Sequence, residues 1–296
     1  MYKLPPAPYS VASPRRLHRT DTVRNFDPMF SSESEQHDAL AAAAGGTEKR
    51  AYVRRIFSDI APRYDLLNHL LSFNIDKGWR RRAIALLDWR RQPEGTYVDL
   101  CAGTMDVGLE LARQRGFRGL VVGADFAEPM LRVGERKLTD EPVRPVVADA
   151  LQLPLADGSA AGVIVAFGAR NFADLDAGLL EAHRVLAPNG RLVILEFTTP
   201  RVALIRVLYH LYSHRILPAI GRLVSGHRTA YRYLPESVAR FPSAEELALR
   251  IRKAGFSSVG WQSLTMGIVA LHVGERTGNS GGRSAAPYAS SPAMSA

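Results

Sequence analysis

One stretch decides the fold of this chain: Tyr97-Val98-Asp99-Leu100-Cys101-Ala102-Gly103-Thr104-Met105-Asp106. A short apolar run with strand character leads into a glycine turn, and a helical pattern over Val107–Arg115 follows at once. A strand, a tight turn and a helix in this order are typical of the first unit of a doubly wound α/β sheet. Glycine at position 103 would let the turn bring bare backbone close to a ligand.

Similar units follow along the chain. Four further short, β-branched runs predict buried strands: Leu120–Ala124, Pro145–Ala148, Val163–Phe167 and Leu192–Phe197. Helical patterns lie between them, at Met130–Leu138 and at Leu175–Leu186, the latter ending at Ala187-Pro188-Asn189-Gly190. Near the end, Ser257–Leu264 and Gly267–Val273 predict an antiparallel pair that closes one edge. The predicted class is therefore α/β, with a doubly wound, mostly parallel seven-stranded sheet.

The composition fits one large folded domain. The 296 residues are 46% hydrophobic and 23% charged, which excludes a mostly disordered or fibrous protein. We expect the domain over 48–275, between disordered segments at 1–47 and 276–296. The lone Cys101 cannot form an internal disulfide, and no run of about 18 uncharged apolar residues could span a bilayer. We expect a cytoplasmic protein.

The formal net charge of +9 is unevenly placed. Residues 51–91 hold 9 Lys and Arg against 4 Asp and Glu, and residues 201–240 hold 7 against 1. Such patches attract phosphates of nucleic acid or of anionic lipid, or they form a solvated arginine-rich surface. No separate RNA-binding module appears, so a nucleic-acid methyltransferase is disfavoured and no nucleic-acid partner is expected.

A nucleoside site is predicted where the strands end. Asp125 follows Gly103 by 22 residues, at a distance where a carboxylate can accept hydrogen bonds from both ribose hydroxyls. Asp149 and Ala150 follow the third strand and can hold the adenine edge, while Asp99 and Gly103 end the first. Asp106 at the helix start would repel a pyrophosphate but suits an amino group. This pattern disfavours a nicotinamide dinucleotide and favours S-adenosylmethionine.

Several longer motifs lie outside the nucleoside site. They are Phe57-Ser58-Asp59-Ile60-Ala61-Pro62-Arg63-Tyr64-Asp65-Leu66-Leu67-Asn68 with Leu71-Ser72-Phe73 and Trp79-Arg80-Arg81; Ala166-Phe167-Gly168-Ala169-Arg170-Asn171 with Arg184–Leu192 and Leu195-Glu196-Phe197; Tyr231–Ser237 with Arg240-Phe241-Pro242; and Leu264–His272. Over about 50–275 the chain resembles the UbiE/MenG C-methyltransferases of menaquinone and ubiquinone synthesis.

This resemblance implies a class I methyltransferase fold with helical lid elements. It also implies that Thr104, Asp125 and the Asp149-Ala150 pair contact S-adenosylmethionine. Two positions depart from the family. Met105 replaces a glycine and would stand beside the methionine half of the cofactor, and Ala166 replaces a serine at a cofactor contact.

The implied reaction is C-methylation of a polyprenylated quinol, with demethylmenaquinol as the expected substrate. A benzoquinol of ubiquinone synthesis is the alternative. A non-catalytic scaffold of quinone biosynthesis with a weakened cofactor site is another, and Met105 is its best support.

The catalytic candidates follow the fourth strand or lie on predicted helices. We expect Arg170 to stabilise a quinolate oxygen, since a guanidinium stays protonated, and Asn171 either to orient a ring oxygen or to cap the next turn. Candidates for the general base are Tyr64, His210, His214 and Tyr233, each of which could instead be a packing or surface residue. No metal is expected, because 201–235 offers no acidic or cysteine ligand beside the histidines.

Two amphipathic segments could cover the site. Val202–Val224 and Tyr52–Leu71 could form a lid over an apolar channel for a polyprenyl tail, with arginines toward anionic headgroups. The alternative is a core-packing helix with an arginine-rich outer face. The first interpretation predicts peripheral contact with the inner face of the membrane. The sequence leaves a homodimer open.

Overall fold

A computed structural model describes residues 46–65, 72, 74–200, 202–211 and 228–278. The strands are β1 Thr96–Leu100, β2 Leu120–Asp125, β3 Val143–Val147, β4 Ala160–Ala166, β5 Leu186–Phe197, β6 Phe256–Leu264 and β7 Val269–Arg276. They form one seven-stranded sheet in the order β3-β2-β1-β4-β5-β7-β6. The order reverses between β1 and β4, which is the point where such sheets bind ligands.

The first five strands pair in parallel, while β7 pairs antiparallel with both β5 and β6. The predicted class and the antiparallel C-terminal pair are confirmed. The predicted stop at Ala187–Gly190 differs in detail, because the helix ends at Val185 and β5 begins at Leu186. Asn189 adopts a left-handed conformation inside β5, next to a shift in its register with β4.

The described residues include eight α-helices. They are α1 Gly46–Ile60, α2 Ile75–Leu86, α3 Asp106–Ala112, α4 Glu128–Glu135, α5 Leu175–Val185, α6 Ala203–Leu211, α7 Arg228–Arg240 and α8 Ala244–Lys253. Side chains of α5 and α8 pack on one face of the sheet, and those of α2, α3 and α4 pack on the other. Strands β1, β2, β4 and β5 are largely buried, which explains their continuous apolar runs in the sequence. The prediction of a buried strand over Pro145–Ala148 is wrong in its burial, because β3 lies at the edge of the sheet and is half-buried or exposed after Val143.

Helices α1 and α7 pack together beside the carboxyl end of β4. Tyr52, Val53, Ile56 and Ile60 form a buried cluster with Tyr233, and the rings of Tyr52 and Tyr233 meet edge to face at 5.8 Å. Helix α1, at the start of the domain, and helix α7, which contains the motif Tyr231–Ser237, thus lie over one end of the sheet.

Some predictions concern residues that the structure does not describe. Of the two predicted lid segments, 66–71 and 212–224 lie outside the described residues, as does His214. The predicted disordered segments also lie outside them, except that α1 begins at Gly46 and that β7 reaches Arg276, with the description ending at 278. Among the described helices, none has both the length and the apolar character needed to cross a bilayer.

Candidate active site

The turn after β1 is built from residues in unusual backbone conformations. Cys101, Gly103 and Met105 all have positive φ, at 58°, 55° and 62°. A Cβ at position 103 would lie 3.3 Å from the terminal methyl of Met130 and 3.8 Å from the ring of Tyr64. Glycine therefore keeps open a cradle that a side chain would fill, as a cofactor approaching the backbone requires.

The Asp125 carboxylate closes this cradle from the end of β2. Its Oδ2 accepts the Gly103 N–H at 2.9 Å and its Oδ1 accepts the Ala127 N–H at 2.8 Å. Desolvation raises the pKa of Asp125, although these backbone N–H groups act to lower it. Each oxygen retains a lone pair, so the carboxylate can still accept ribose hydroxyls. The residues present fit an adenosine cofactor.

Asp99 lies beneath the same turn and is almost completely buried. Its Oδ2 accepts the Gly108 N–H at 2.8 Å, which fixes the start of α3. Desolvation raises the pKa of Asp99 to about 7. In this position Asp99 braces the turn from below.

Thr104 and Asp106 belong to a network of charges above the turn. The Thr104 hydroxyl donates to Asp65 Oδ1 at 2.5 Å, and Lys137 Nζ lies 2.8 Å from Asp65 Oδ2 and 2.5 Å from Asp106 Oδ1. Arg80 Nη1 binds Asp106 Oδ2 at 2.5 Å. Desolvation acts to raise the pKa of Asp106, but Arg80 and Lys137 outweigh it and the pKa is lowered. Asp106 thus remains an anion that binds Arg80 and Lys137.

The predicted adenine-edge residues follow β3. Asp149 Oδ1 accepts the Leu151 N–H at 3.0 Å, and Oδ2 lies 2.5 Å from the Arg50 guanidinium of α1. Ala150 is buried and packs in the core beneath the loop. Ala166 ends β4 and is half-buried.

The prediction that the Met105 side chain points toward the cofactor is wrong. Met105 is fully buried in the core rather than placed beside the cofactor. Its sulfur and methyl occupy the space above Gly123 of β2 and Gly134 of α4, where added Cβ atoms would come within 3.0 Å and 2.7 Å. The two glycines make room for the methionine, which removes the best support for a weakened cofactor site.

Arg170 and Asn171 lie in the 3₁₀ turn Ala169–Asn171 after β4. Arg170 Nη1 pairs with Glu196 Oε1 of β5 at 2.6 Å and also donates to the Phe167 carbonyl. Asn171 Oδ1 accepts the Tyr233 hydroxyl at 3.1 Å, which joins α7 to the site. Arg170 and Tyr233 both line a cavity of about 230 Å³.

The structure places the candidate bases in different environments. Tyr64 lies beside Gly103 and close enough to Arg170 for its hydroxyl to influence the pKa of the guanidinium. Burial raises the pKa of Tyr233 to about 12, so Tyr233 is a hydrogen-bond donor rather than a base at neutral pH. His210 lies on α6. The structure therefore brings Tyr64, Arg170 and Asn171 to one end of the sheet.

Sequence reasoning missed Asp65, Lys137 and Glu196. Asp65 and Glu196 lie within the motifs that resemble the family, and those motifs could have indicated a role for them. Lys137 follows α4 and had no local signal, because its partners lie 72 and 31 residues away in the sequence. In the described part of the chain, no three His, Cys, Asp or Glu residues group in a way that could hold a metal ion.

Comparison with known proteins identifies the family. The model of the ubiE/COQ5 methyltransferase family matches residues 46–276. A demethylmenaquinone methyltransferase of Thermus thermophilus is 50% identical over 223 residues, covering 75% of this chain and 100% of that protein. A ubiquinone/menaquinone biosynthesis C-methyltransferase UbiE of Geotalea uraniireducens is 44% identical over 234 residues, covering 78% and 98%.

The fold is also similar to that of solved structures. A SAM-dependent methyltransferase of Thermotoga maritima superimposes with a TM-score of 0.55 at 20% identity, over 75% of this chain and 99% of that one. This likeness confirms the predicted class I fold. Membership of the methyltransferase family confirms the predicted cofactor, S-adenosylmethionine. The chain belongs to the ubiE/COQ5 methyltransferase family and is an S-adenosylmethionine-dependent methyltransferase.

Proposed function

We propose that this methyltransferase acts on a ring carbon of a polyprenylated quinol in menaquinone biosynthesis, with demethylmenaquinol as its substrate. The Thermus relative, which this chain matches along its whole length, is named for that activity, as are relatives from Desulfitobacterium hafniense and Deinococcus radiodurans. One observation carries the proposal: a carboxylate suited to bind ribose, Asp125, and a buried arginine, Arg170, lie at the same end of the sheet. The benzoquinol of ubiquinone synthesis is the second candidate, because the UbiE relatives carry both names.

The turn after β1 and the loops beside it would hold the cofactor. Asp125 would accept the ribose hydroxyls, Gly103 and Thr104 would let the cofactor approach the backbone, and the Asp149-Ala150 pair would hold the adenine edge. When bound, S-adenosylmethionine supplies a methyl group made electrophilic by its sulfonium. Asp99 contributes from below by fixing the turn, and Ala166 leaves room without offering a hydrogen bond.

The catalytic residues act on the quinol. Arg170 stabilises negative charge on the ring oxygen, which makes the neighbouring ring carbon more nucleophilic. Asn171, fixed by the Tyr233 hydroxyl, orients that oxygen. Bound S-adenosylmethionine would supply the methyl group to that ring carbon and would leave as S-adenosylhomocysteine, and the hydrogen on the ring carbon would leave as a proton. Tyr64 and His210 are the candidates that receive a proton.

The decisive experiment supplies labelled S-adenosylmethionine and each reduced quinone precursor, then identifies the product by mass. Methylated naphthoquinol is the expected product, and methylation of the benzoquinol alone would favour the second candidate. Arg170→Ala should lower turnover far more than cofactor affinity measured by calorimetry. Unchanged turnover in this variant would remove Arg170 from the mechanism, and cofactor binding without methylation of any quinol would favour a scaffold.

The proposal includes peripheral contact with the membrane that holds the substrate. Val202, Val207 and Leu211, on or next to α6, are 58%, 64% and 52% exposed, and exposed Arg206 lies among them. An exposed apolar face beside a cation suits a bilayer with anionic headgroups.

A further inference from the structure

The charge network above the turn has one unusual member, the ammonium of Lys137. It lies between two carboxylates that come from different segments, at 2.8 Å from Asp65 Oδ2 and 2.5 Å from Asp106 Oδ1. We call the network formed by Asp65, Asp76, Arg80, Asp106 and Lys137 the charge cluster. None of these five residues takes part in the proposed methyl transfer.

We propose that the charge cluster binds the amino-acid end of S-adenosylmethionine, with Lys137 pairing with its carboxylate and Asp65 with its ammonium. The proposal rests on the cofactor assignment above and adds the residues that recognise the zwitterion. It follows from adjacency. The Gly103 N–H binds the ribose anchor Asp125, while the hydroxyl of the next residue, Thr104, binds Asp65. The ribose anchor and the charge cluster therefore adjoin the same two residues.

The sign of the charge is also complementary. In the charge cluster three carboxylates face two cations, which leaves one net negative charge. S-adenosylmethionine carries an ammonium, a sulfonium and a carboxylate, so its net charge is positive by one. The cluster would therefore attract this cofactor, whereas it would repel the phosphates of a dinucleotide.

Lys137 can exchange partners without leaving a charge unpaired. Asp106 is also bound by Arg80, and both Lys137 and Asp65 are partly exposed. An arriving ammonium is chemically the same group as the one that Asp65 already holds. When Asp65 accepts it, Lys137 keeps Asp106 and becomes free to pair with the arriving carboxylate.

A second observation points to a missing acceptor in the same place. The Arg80 side chain is only 9% exposed, and its buried Nε–H has no hydrogen-bond partner among the described residues. Buried donors are normally satisfied by protein, water or ligand. An anionic group bound within the charge cluster would supply an acceptor beside this guanidinium.

The test uses calorimetry on the full-length protein with three ligands that differ only in the amino-acid end. S-adenosylhomocysteine carries both charged groups, its decarboxylated analogue keeps the amine alone, and 5′-methylthioadenosine has neither. We expect Lys137→Met to weaken S-adenosylhomocysteine about tenfold and leave the other two nearly unchanged. Asp65→Asn should weaken the first two ligands about tenfold and leave 5′-methylthioadenosine nearly unchanged.

The matched control is Arg132→Met, which removes a cation that pairs with Glu128 on the outside of α4. It should change the affinity of none of the ligands. Tighter S-adenosylhomocysteine binding by Lys137→Met would show that the lysine only competes with the cofactor, and equal weakening of all three ligands would show that it only supports the fold. Either result overturns the proposal, as does no change. Failure of the wild-type protein to bind any ligand would overturn the cofactor site itself, so the two failures are distinguishable.

Discussion

Arg170, in the turn after β4, and Glu196 of β5 form a buried ion pair, with side chains only 6% and 1% exposed. Glu196 Oε1 lies 2.6 Å from Arg170 Nη1 and also accepts the Phe197 N–H at 2.9 Å, while Oε2 accepts the Arg170 N–H at 3.2 Å. The carboxylate is therefore held on both oxygens. Glu196 fixes the orientation of the guanidinium that we place at the quinol oxygen, which makes it a positioning residue.

Glu196→Gln should destabilise the protein and lower turnover. Removing one partner leaves the guanidinium buried without its counter-charge, which costs about 3–5 kcal/mol. The free energy of unfolding in urea and the turnover of labelled quinol measure the two effects.

The double variant Arg170→Met/Glu196→Leu is the matched control for this prediction. It removes both charges, so it should recover much of the lost stability while remaining inactive. Full activity in the double variant would exclude Arg170 from the chemistry.

Tyr233→Phe tests whether the hydroxyl only orients Asn171. Because burial raises the pKa of Tyr233 to about 12, the hydroxyl is protonated throughout the working range. Losing one hydrogen bond should reduce kcat by about tenfold or less and leave the shape of the pH–rate profile unchanged. If a limb of that profile disappeared in the variant, Tyr233 would be the base after all.

Asp99→Asn should change how stability depends on pH. Desolvation raises the pKa of Asp99 from 3.8 to about 7, so the folded protein keeps the proton where the unfolded chain has lost it. The stability that this group contributes is complete below pH 3.8 and is lost as the pH rises to about 7. Asparagine stays neutral, and its oxygen can still accept the Gly108 N–H.

As the pH rises from about 5 to about 7, the free energy of unfolding of the variant should therefore increase relative to that of the wild type by on the order of 3 kcal/mol. Urea unfolding of both proteins at several pH values measures this difference. Parallel curves for the two proteins would mean that Asp99 is ionised in the folded state.

Met105→Ala should affect stability and leave cofactor affinity intact. The side chain fills the space above Gly123 and Gly134, so truncating it leaves a cavity and costs about 2–5 kcal/mol. Met105→Gly is the matched comparison, because glycine at a φ of 62° recovers about 1 kcal/mol of backbone strain. Urea unfolding and calorimetry with S-adenosylhomocysteine give both quantities. A large loss of affinity with little loss of stability would restore the view that Met105 borders the cofactor.

The fold could be predicted because its signals are local. Each buried strand is a continuous apolar run, and Asp174 and Ser243 cap the starts of α5 and α8. The position of the site followed as well, since parallel strands end at one edge and Asp125 and Arg170 each come at or soon after a strand end.

The pairing of side chains across the site could not be predicted. Lys137 meets Asp65 across 72 residues, and Arg170 meets Glu196 across 26, so nothing in either neighbourhood indicates the partner. The direction of Met105 depended on two glycines elsewhere in the sequence. A residue that departs from a family pattern is thus best judged together with the space its neighbours leave.

The exposed face of α6 predicts contact with a membrane. Val207 and Leu211 lie four residues apart and so share one side of the helix, where both are more than half exposed. Val207→Asp/Leu211→Asp places two anions on this side. We expect the wild type to sediment with vesicles that contain anionic lipid and to bind neutral vesicles more weakly, whereas the double variant should remain in solution.

Two measurements separate membrane contact from a general defect. The double variant should bind S-adenosylhomocysteine like the wild type and should methylate a short-tailed, water-soluble quinol at the same rate. Its turnover of a long-tailed quinol embedded in vesicles should fall, because substrate delivery from the bilayer is then impaired. Equal failure of the wild type to sediment with anionic and neutral vesicles would exclude the membrane contact, and these exposed side chains would then need another explanation.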